Sequence, residues 1–262
     1  MKLAEHSEDI PGIPAATLVL LRDRPQTAPE VLMVERAAKM RFAGGAMVFP
    51  GGRIDPGDHA IAENDSIIRG ATSDAMETAA RIASIRETLE ETGIAVAFDP
   101  LPDHGATMQL REALHEEADF GAMLASGGWQ LDLELLTPWA RWKPNFKQER
   151  TFDTWFFVAR APDLAVDEAH GGESVSSRWA SAQRVIDDAE AGKCSIIFPT
   201  HRNLERLALH QSYEETRIHA ESHEVKLITP WVEEFEGEPW LRIPDDAGYP
   251  VTGEKLTKMI RG

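Results

Sequence analysis

The chain has 262 residues and is strongly acidic: 44 Asp and Glu against 27 Lys and Arg give a formal net charge of −17 at pH 7. Nucleic-acid binding depends on many basic side chains that neutralise phosphates, so this charge excludes a protein that wraps DNA or RNA. Hydrophobic residues make up 42% of the chain, which is typical of a folded domain and not of a disordered acidic segment.

Cysteine usage and the apolar runs indicate the compartment. Cys194 is the one cysteine of the sequence, so no internal disulfide and no thiolate cluster can form. The N-terminal residues mix acids with prolines and lack the apolar run of a signal peptide. The run at residues 15–21 is far shorter than a membrane span. The sequence therefore predicts a cytoplasmic protein without a membrane partner.

The first seventy residues predict short strands and one long loop. Strands are expected at residues 15–22, 30–36 and 46–49. The third strand stops at Pro50-Gly51-Gly52, because proline cannot donate a ladder hydrogen bond. A loop rich in glycine and polar residues is expected from 51 to 73, and its length indicates a functional insertion.

A helix is predicted from Asp74, which can cap its first turn together with Glu77, to Gly93, which can end it. One stripe of this helix is apolar: Ile82, Ile85 and Leu89. The nearly opposite stripe is acidic: Glu87, Glu90 and Glu91. At about 100° per residue the apolar stripe faces a core and the acidic stripe faces away from it.

The remaining strands and helices come in blocks. Strands are predicted at 94–98, 134–142, 151–160, 174–180, 225–232 and 240–243, and helices at 107–126, 181–191, 199–211 and 213–224. Blocks of strands and helices without a regular alternation favour an α+β fold with a mixed sheet. His219 and His223 lie four residues apart, but HAESH lacks the glutamate directly after the first histidine of the zinc-protease pattern, and we expect an exposed pair.

The acidic stripe is the candidate site. Carboxylates three and four residues apart on a helix are neighbours, and they raise one another's pKa unless a cation lies among them. Clustered hard oxygen ligands suit Mg²⁺ or Mn²⁺, which keep several waters and bind through few carboxylates and substrate phosphates. A solvated helix end is the simpler explanation of three glutamates taken alone.

The residues before this helix favour the site. The strand end Phe49-Pro50-Gly51-Gly52 and the helix sequence Arg86-Glu87-Thr88-Leu89-Glu90-Glu91-Thr92-Gly93-Ile94 resemble the Nudix box, Gly-x5-Glu-x7-Arg-Glu-U-x-Glu-Glu-x-Gly-U, where U is bulky and apolar. Asp58 stands at the position of the first glutamate, and Thr88 stands at a U position. There are 27 residues between Asp58 and Arg86 instead of 7, an insertion of 20.

The resemblance implies a Nudix-type α/β/α sandwich with a mixed sheet and helical insertions. It implies hydrolysis of a nucleoside diphosphate linked to another moiety, with Mg²⁺ or Mn²⁺ as the cofactor. The implied metal ligands are the Gly52 carbonyl, Glu87, Glu90 and Glu91. The implied catalytic residues are Glu87, Glu90 and Arg86, where Glu87 is a metal ligand or the general base and Arg86 orients a carboxylate.

The insertion and an upstream basic stretch resemble the coenzyme A diphosphatase branch of the family, with its pattern RS-x-x-LR…GE…FPGG. The stretch contains Arg36, Lys39 and Arg41, but Ala46 replaces the glutamate. The resemblance implies that these cations, and Arg53 in the box, contact substrate, with the upstream three meeting a 3′-phosphate. A basic surface loop is the alternative. Glu149 and Glu173 are candidates for a further ligand or base, although each alone reads as a surface carboxylate.

The resemblance covers roughly residues 12–211, which we expect to form the Nudix domain, with the box at 52–94. Residues 212–262 are expected to be an extension packed on the same domain. The helical segment 107–126 and this extension have two open roles, a lid or the interface of a homodimer. The expected function is hydrolysis of coenzyme A or acyl-coenzyme A, and the alternatives are an ADP-ribose or dinucleotide diphosphatase and a non-catalytic nucleotide sensor.

Overall fold

The computed structural model describes residues 11–36, 45–144, 151–163 and 174–256. The strands are β1 (Ile13–Arg24), β2 (Thr27–Arg36), β3 (Met47–Val48), β4 (Gly51–Arg53), β5 (Ile68–Arg69), β6 (Phe98–Asp99), β7 (Gln130–Asp132), β8 (Thr137–Trp142), β9 (Phe152–Arg160), β10 (Ser174–Ser181), β11 (Leu227–Ile228), β12 (Trp231–Phe235), β13 (Glu238–Arg242) and β14 (Gly253–Lys255). The α-helices are α1 (Pro56–Ala62), α2 (Ala75–Thr92), α3 (His104–His115), α4 (Phe120–Gly127), α5 (Ala182–Glu190), α6 (Phe198–Leu207) and α7 (Tyr213–Glu221).

The main sheet is mixed and has the strand order β10-β2-β1-β9-β8-β11, with β3 beside β2 and β4 beside β1. The central pair β1 and β9 is parallel, whereas β1 pairs with β2 and β4 in the antiparallel sense. The pairing of β4 with β1 places Gly52 opposite Ala16. The glycine end of the box is therefore held in the middle of the sheet.

Helices cover both faces of this sheet. Because strand side chains alternate, Leu18 and Leu20 of β1 pack with α2, while Val19 and Leu21 pack with α5, α6 and α7. The apolar stripe of α2 is fully buried, as its spacing predicts: Ile82, Ile85 and Leu89. These layers confirm the predicted α/β/α sandwich.

The insertion inside the box packs with the helical segment that follows the box. β5 and β6 flank β7 in a small sheet, so residues 68–69, 98–99 and 130–132 lie side by side. Ile61, Leu114 and Phe120 belong to the same buried cluster as the stripe of α2. Both insertions thus extend the core around the box helix.

In and beside the box, three predictions about single elements were wrong. Residues 51–73 are not one loop, because β4, α1 and β5 lie within them; α1 begins at Pro56, and the Asp55 N–H donates to the Asp58 carboxylate at 2.8 Å. The strand expected at 94–98 is confined to β6. The helix expected at 107–126 is split into α3 and α4, since Glu117 has a φ of 60° and Asp119 caps α4.

The histidine pair on α7 is not freely exposed. His219 and His223 are half-buried, with ring centroids 4.3 Å apart, and the His219 ring lies 5.8 Å from the ring of buried Trp139. Tyr213 and Ala220 of the same helix lie in the core beneath the sheet. Within the described ranges, no helix is long and apolar enough to cross a membrane.

Candidate active site

The box helix α2 begins and ends where its sequence predicts. The Asp74 side chain accepts from the Met76 and Glu77 N–H groups at 2.8 and 3.3 Å, which satisfies donors that the first turn cannot pair. Gly93 ends the helix in the left-handed region, with a φ of 71°. These caps, with the buried apolar stripe, orient the acidic stripe toward a cleft.

Glu87 packs directly on the glycine end of the box. A Cβ atom placed on Gly52 would lie 2.4 to 2.5 Å from the carboxylate atoms of Glu87. A side chain at position 52 therefore cannot share the space that this carboxylate occupies. The pairing of β4 with β1 makes this close approach possible without disturbing the core.

Arg86 is locked in place by Asp58. Its Nε and Nη2 atoms each donate to one oxygen of the Asp58 carboxylate at 2.9 Å, and Nη2 also donates to the Arg53 carbonyl at 3.0 Å. Burial alone would lower the pKa of Arg86, but its ion pairs with Asp58 and Glu87 hold that pKa above its usual value. Asp58 therefore holds Arg86 despite being shorter than the glutamate of the box pattern.

Burial and the neighbouring charges both act on the pKa of the Glu87 carboxylate. Arg86 Nη1 donates to Glu87 Oε1 at 2.8 Å. Burial raises the pKa of Glu87 to about 7, the Arg86 charge opposes this rise, and the negative charge of Glu90 adds to it. A cation placed among these acids would favour the charged form of the Glu87 carboxyl group.

Glu90 and Glu91 complete the acidic stripe. Glu90 Oε2 lies 3.8 Å from Arg86 Nη1, and Glu90 Oε1 lies 3.6 Å from His115 Nδ1 on α3. The Gly51 N–H donates to Glu91 Oε2 at 3.2 Å. All four predicted metal-binding positions, Gly52 and the three glutamates, line the same cleft.

These residues line a cleft of about 1150 Å³. Its acidic wall is formed by the box. Other parts of its lining are apolar: Trp142, Phe152, Phe156, Ile197 and Pro199. The cleft is therefore wide enough for more than a diphosphate and offers both charged and apolar contacts.

The predicted substrate-binding cations fall into two groups. Arg36 and Arg53 both line the cleft. The Arg36 Nε atom is buried and has no hydrogen-bond partner within the described parts of the chain. Arg41 and Lys39 lie outside the described residues, as do Glu149 and Glu173.

Sequence reasoning missed His115 and Arg111, which α3 brings to the box helix. Arg111 donates to the Glu90 and Glu91 carbonyls, and His115 approaches the Glu90 side chain. The two residues are four apart, which puts them on one face of α3, but nothing in the local pattern says that this face meets α2. Only the tertiary fold reveals that contact.

The donor set fits a divalent cation. Among the described residues, no three His, Cys, Asp or Glu side chains converge into a ready-made metal site. Mg²⁺ seldom needs one, because it keeps several waters and binds through one or two carboxylates and substrate phosphates. The carboxylate oxygens of the glutamates suit that mode of binding. So does the space beside Gly52, which the Glu87 carboxylate fills because Gly52 has no side chain.

Comparisons with known proteins find chains of similar sequence and fold. The crystal structure of a NUDIX hydrolase from Alicyclobacillus acidocaldarius is 29% identical, covers 80% of this chain and 97% of its own, and superposes with a TM-score of 0.71. The acyl-coenzyme A diphosphatase NUDT19 of Xenopus laevis is 23% identical over 282 residues, 87% of this chain and 74% of its own. In sequence and fold the chain is similar to the Nudix hydrolases.

Within the Nudix hydrolases the chain resembles the coenzyme A diphosphatase branch. The putative nudix hydrolase 7 of Caenorhabditis elegans is 22% identical over 183 residues, 70% of this chain and 57% of its own length. No family model matches the chain. The likeness therefore rests on individual relatives that match 70 to 87% of the chain.

Proposed function

We propose that this Nudix hydrolase cleaves the diphosphate bond of coenzyme A or acyl-coenzyme A with Mg²⁺ or Mn²⁺, releasing adenosine 3′,5′-bisphosphate and the phosphopantetheine or its acyl derivative. The observation that carries the proposal is the make-up of the cleft, which combines the acidic face of α2 with an unpaired Arg36 Nε and an apolar lining. The name of the Xenopus laevis relative supports the same substrate.

The residues that would hold the cation are Gly52, through its carbonyl, and the glutamates of the box. When bound, a divalent cation neutralises the diphosphate and lowers the pKa of a coordinated water. Arg86, fixed by Asp58, keeps the Glu87 carboxylate in place through the 2.8 Å hydrogen bond. A carboxylate of the cluster, Glu87 or Glu90, accepts the proton of the attacking water.

The rest of the cleft selects the substrate. Arg36 contacts an anionic group of the nucleotide, since a buried guanidinium nitrogen without a partner gains from a charge-assisted hydrogen bond. The apolar lining accommodates the adenine ring or the pantetheine arm, because such surfaces favour aromatic and aliphatic groups. Both ends of a coenzyme A molecule therefore find matching chemistry.

One substrate panel tests the proposal. Turnover of coenzyme A, an acyl-coenzyme A, ADP-ribose, NADH and diadenosine polyphosphates is measured with Mg²⁺ and with Mn²⁺, by separating the products chromatographically. Coenzyme A or its acyl form is expected to give the highest kcat/KM. Glu90→Gln is expected to reduce kcat/KM by roughly 10- to 100-fold, whereas Glu112→Gln, an exposed glutamate of α3, leaves it unchanged.

Each alternative has its own outcome. A preference of tenfold or more for ADP-ribose would contradict the substrate and keep the reaction class. Nucleotide binding without turnover of any substrate would indicate a sensor. Full activity of Glu90→Gln would show that the acidic stripe of α2 is not the metal site.

A further inference from the structure

The helix that follows the box, α3, is hydrogen-bonded to the last turn of the box helix α2. Arg111 of α3, itself only 5% exposed, donates from Nε to the Glu90 carbonyl at 2.9 Å and from Nη2 to the Glu91 carbonyl at 3.0 Å. The two carbonyls lie in the last turn of α2, where no intrahelical donor remains. Close packing continues at Gly93, where a Cβ atom would lie 2.9 Å from the Met108 side chain.

His115 is carried to the site by this attachment. It lies one helical turn after Arg111, so both side chains leave the same face of α3. Its Nδ1 atom is 3.6 Å from Glu90 Oε1, and its side chain, which is 42% exposed to solvent, lines the same cleft as the box. The neighbouring Leu114 is buried in the core, which fixes the end of α3.

The Glu90 carboxylate therefore lies between two nitrogen groups from different elements. Arg86 of α2 approaches one oxygen at 3.8 Å, and His115 approaches the other at 3.6 Å. Both separations are within the range of an ion pair but longer than a hydrogen bond. Partners that orient a metal-binding carboxylate commonly contribute 10- to 100-fold to metal affinity or activity. His115 lies outside the box and is supplied by α3.

We propose that His115 is a positioning residue that orients the Glu90 carboxylate for cation binding through its Nδ1 side. This inference rests on the proposed function, since it assumes that Glu90 binds the cation. The attachment of α3 through Arg111 and Leu114 places His115 beside the acidic stripe.

Three substitutions test the inference by separating the two ring nitrogens. An asparagine amide nitrogen is as many bonds from Cβ as Nδ1, and a glutamine amide nitrogen is as many bonds from Cβ as Nε2. His115→Ala and His115→Gln are expected to weaken the binding of Mg²⁺ or Mn²⁺ alone by roughly tenfold, and His115→Asn is expected to restore most of it. The measurement is calorimetric titration of the metal into the free enzyme.

A matched control comes from the other end of the same helix. His104 is the first residue of α3 and is exposed, so His104→Ala is expected to bind the metals as the unchanged chain does. At saturating metal His115→Ala is expected to keep kcat within a few-fold, since the loss lies in metal affinity.

Two results would overturn the inference, and a third would contradict the proposed function instead. Unchanged metal affinity of His115→Ala contradicts it. A lowered Tm without a change in metal affinity also contradicts it, because that is what a purely structural residue gives. If the unchanged chain binds no metal and hydrolyses nothing, the proposed function fails first.

Discussion

The ion pair of Arg86 and Asp58 shows how one residue stabilises the whole acidic site. The Arg86 side chain is 10% exposed and the Asp58 side chain 1% exposed, so both charges have lost most of their water. Such burial is tolerated only with good geometry and further hydrogen bonds, and here two parallel bonds of 2.9 Å meet that demand. The shorter acid at the box position thus keeps its partner.

Removing the charge of Asp58 is expected to destabilise the protein strongly. Asp58→Asn leaves Arg86 buried beside a neutral amide, and breaking a buried pair in this way costs about 3 kcal/mol or more of the free energy of unfolding. Asp58→Glu, which keeps the charge, is expected to lose less. Urea unfolding measures both, with Asp65→Asn on the exposed turn as the control. Equal stability of Asp58→Asn and the unchanged chain would contradict the prediction.

Arg36 is expected to distinguish coenzyme A from its 3′-dephospho form. If its free Nε contacts the 3′-phosphate, Arg36→Met lowers kcat/KM for coenzyme A by roughly 10- to 100-fold, the loss of one charge-assisted hydrogen bond. The value for dephospho-coenzyme A should stay nearly constant. Arg24→Met, at the exposed far end of the same strand pair, is the control. Equal losses on both substrates would place Arg36 elsewhere on the nucleotide.

At the scale of elements, local signals predicted α2 well. Asp74 caps the helix, Gly93 ends it, and the apolar stripe lies in the core, because each of these properties depends on residues within one or two turns. The strand pair β1–β2 was found for the same reason, since its two short apolar runs and their polar connection are local. The box motif then placed Gly52 beside Glu87 without any knowledge of the strand pairing.

Contacts distant in sequence could not be predicted. β5 and β6 have two residues each and exist because β7 lies between them, so no run of their own marks them. The approach of Arg111 and His115 to Glu90 depends on how α3 packs on α2. The split of the expected long helix at Glu117 also escapes a pattern that continues through it.

The contact of α3 with the end of α2 is expected to stabilise the box helix. Arg111→Met keeps an apolar stem but leaves the Glu90 and Glu91 carbonyls without this donor, which is expected to lower the free energy of unfolding by about 1–3 kcal/mol. Amide exchange of the last turn of α2 should quicken. Arg217→Met, which removes exposed ion pairs on α7, is the control and should cost under about 1 kcal/mol. Unchanged exchange would show that the contact adds nothing.

For the whole molecule, a net negative charge is compatible with an anionic substrate. The net charge acts at long range, whereas the charges that would contact a substrate lie inside the cleft. The net charge of −17 repels phosphates at long range, and salt screens that repulsion beyond about 10 Å. Inside the cleft, Arg36 and Arg53 line the wall, and the proposed cation on the acidic stripe would add further positive charge there. A net negative charge is therefore compatible with the proposed binding of an anionic substrate, since local positive charges act at shorter range.

On the opposite side of the sheet from α2, a cluster of rings ties α6 to α7. Arg206 Nε donates to His219 Nε2 at 3.0 Å, which requires the neutral form of that ring, and Arg206 Nη1 donates to the Trp139 carbonyl at 2.8 Å. The rings of His210 and His223 lie 4.6 and 4.3 Å from the His219 ring. Burial, with the charge of Arg206 next, lowers the pKa of His219 to about 4.

This cluster is expected to make the fold sensitive to mild acid. The unfolded chain takes up a proton on His219 near pH 6.5, whereas the folded chain resists it until about pH 4, so stability is full above pH 6.5 and falls between these values. Since the ring is half-exposed, the loss is about 1–2 kcal/mol, below the unscreened value. His219→Gln is expected to lower the free energy of unfolding at pH 7.5, because it alters the hydrogen bond that Arg206 donates to the His219 ring. The same substitution is expected to reduce the loss of stability between pH 7.5 and pH 4.5. Urea unfolding across this range, with His104→Gln as the exposed control, measures the difference, and parallel pH profiles of His219→Gln and the unchanged chain would rule His219 out as the source.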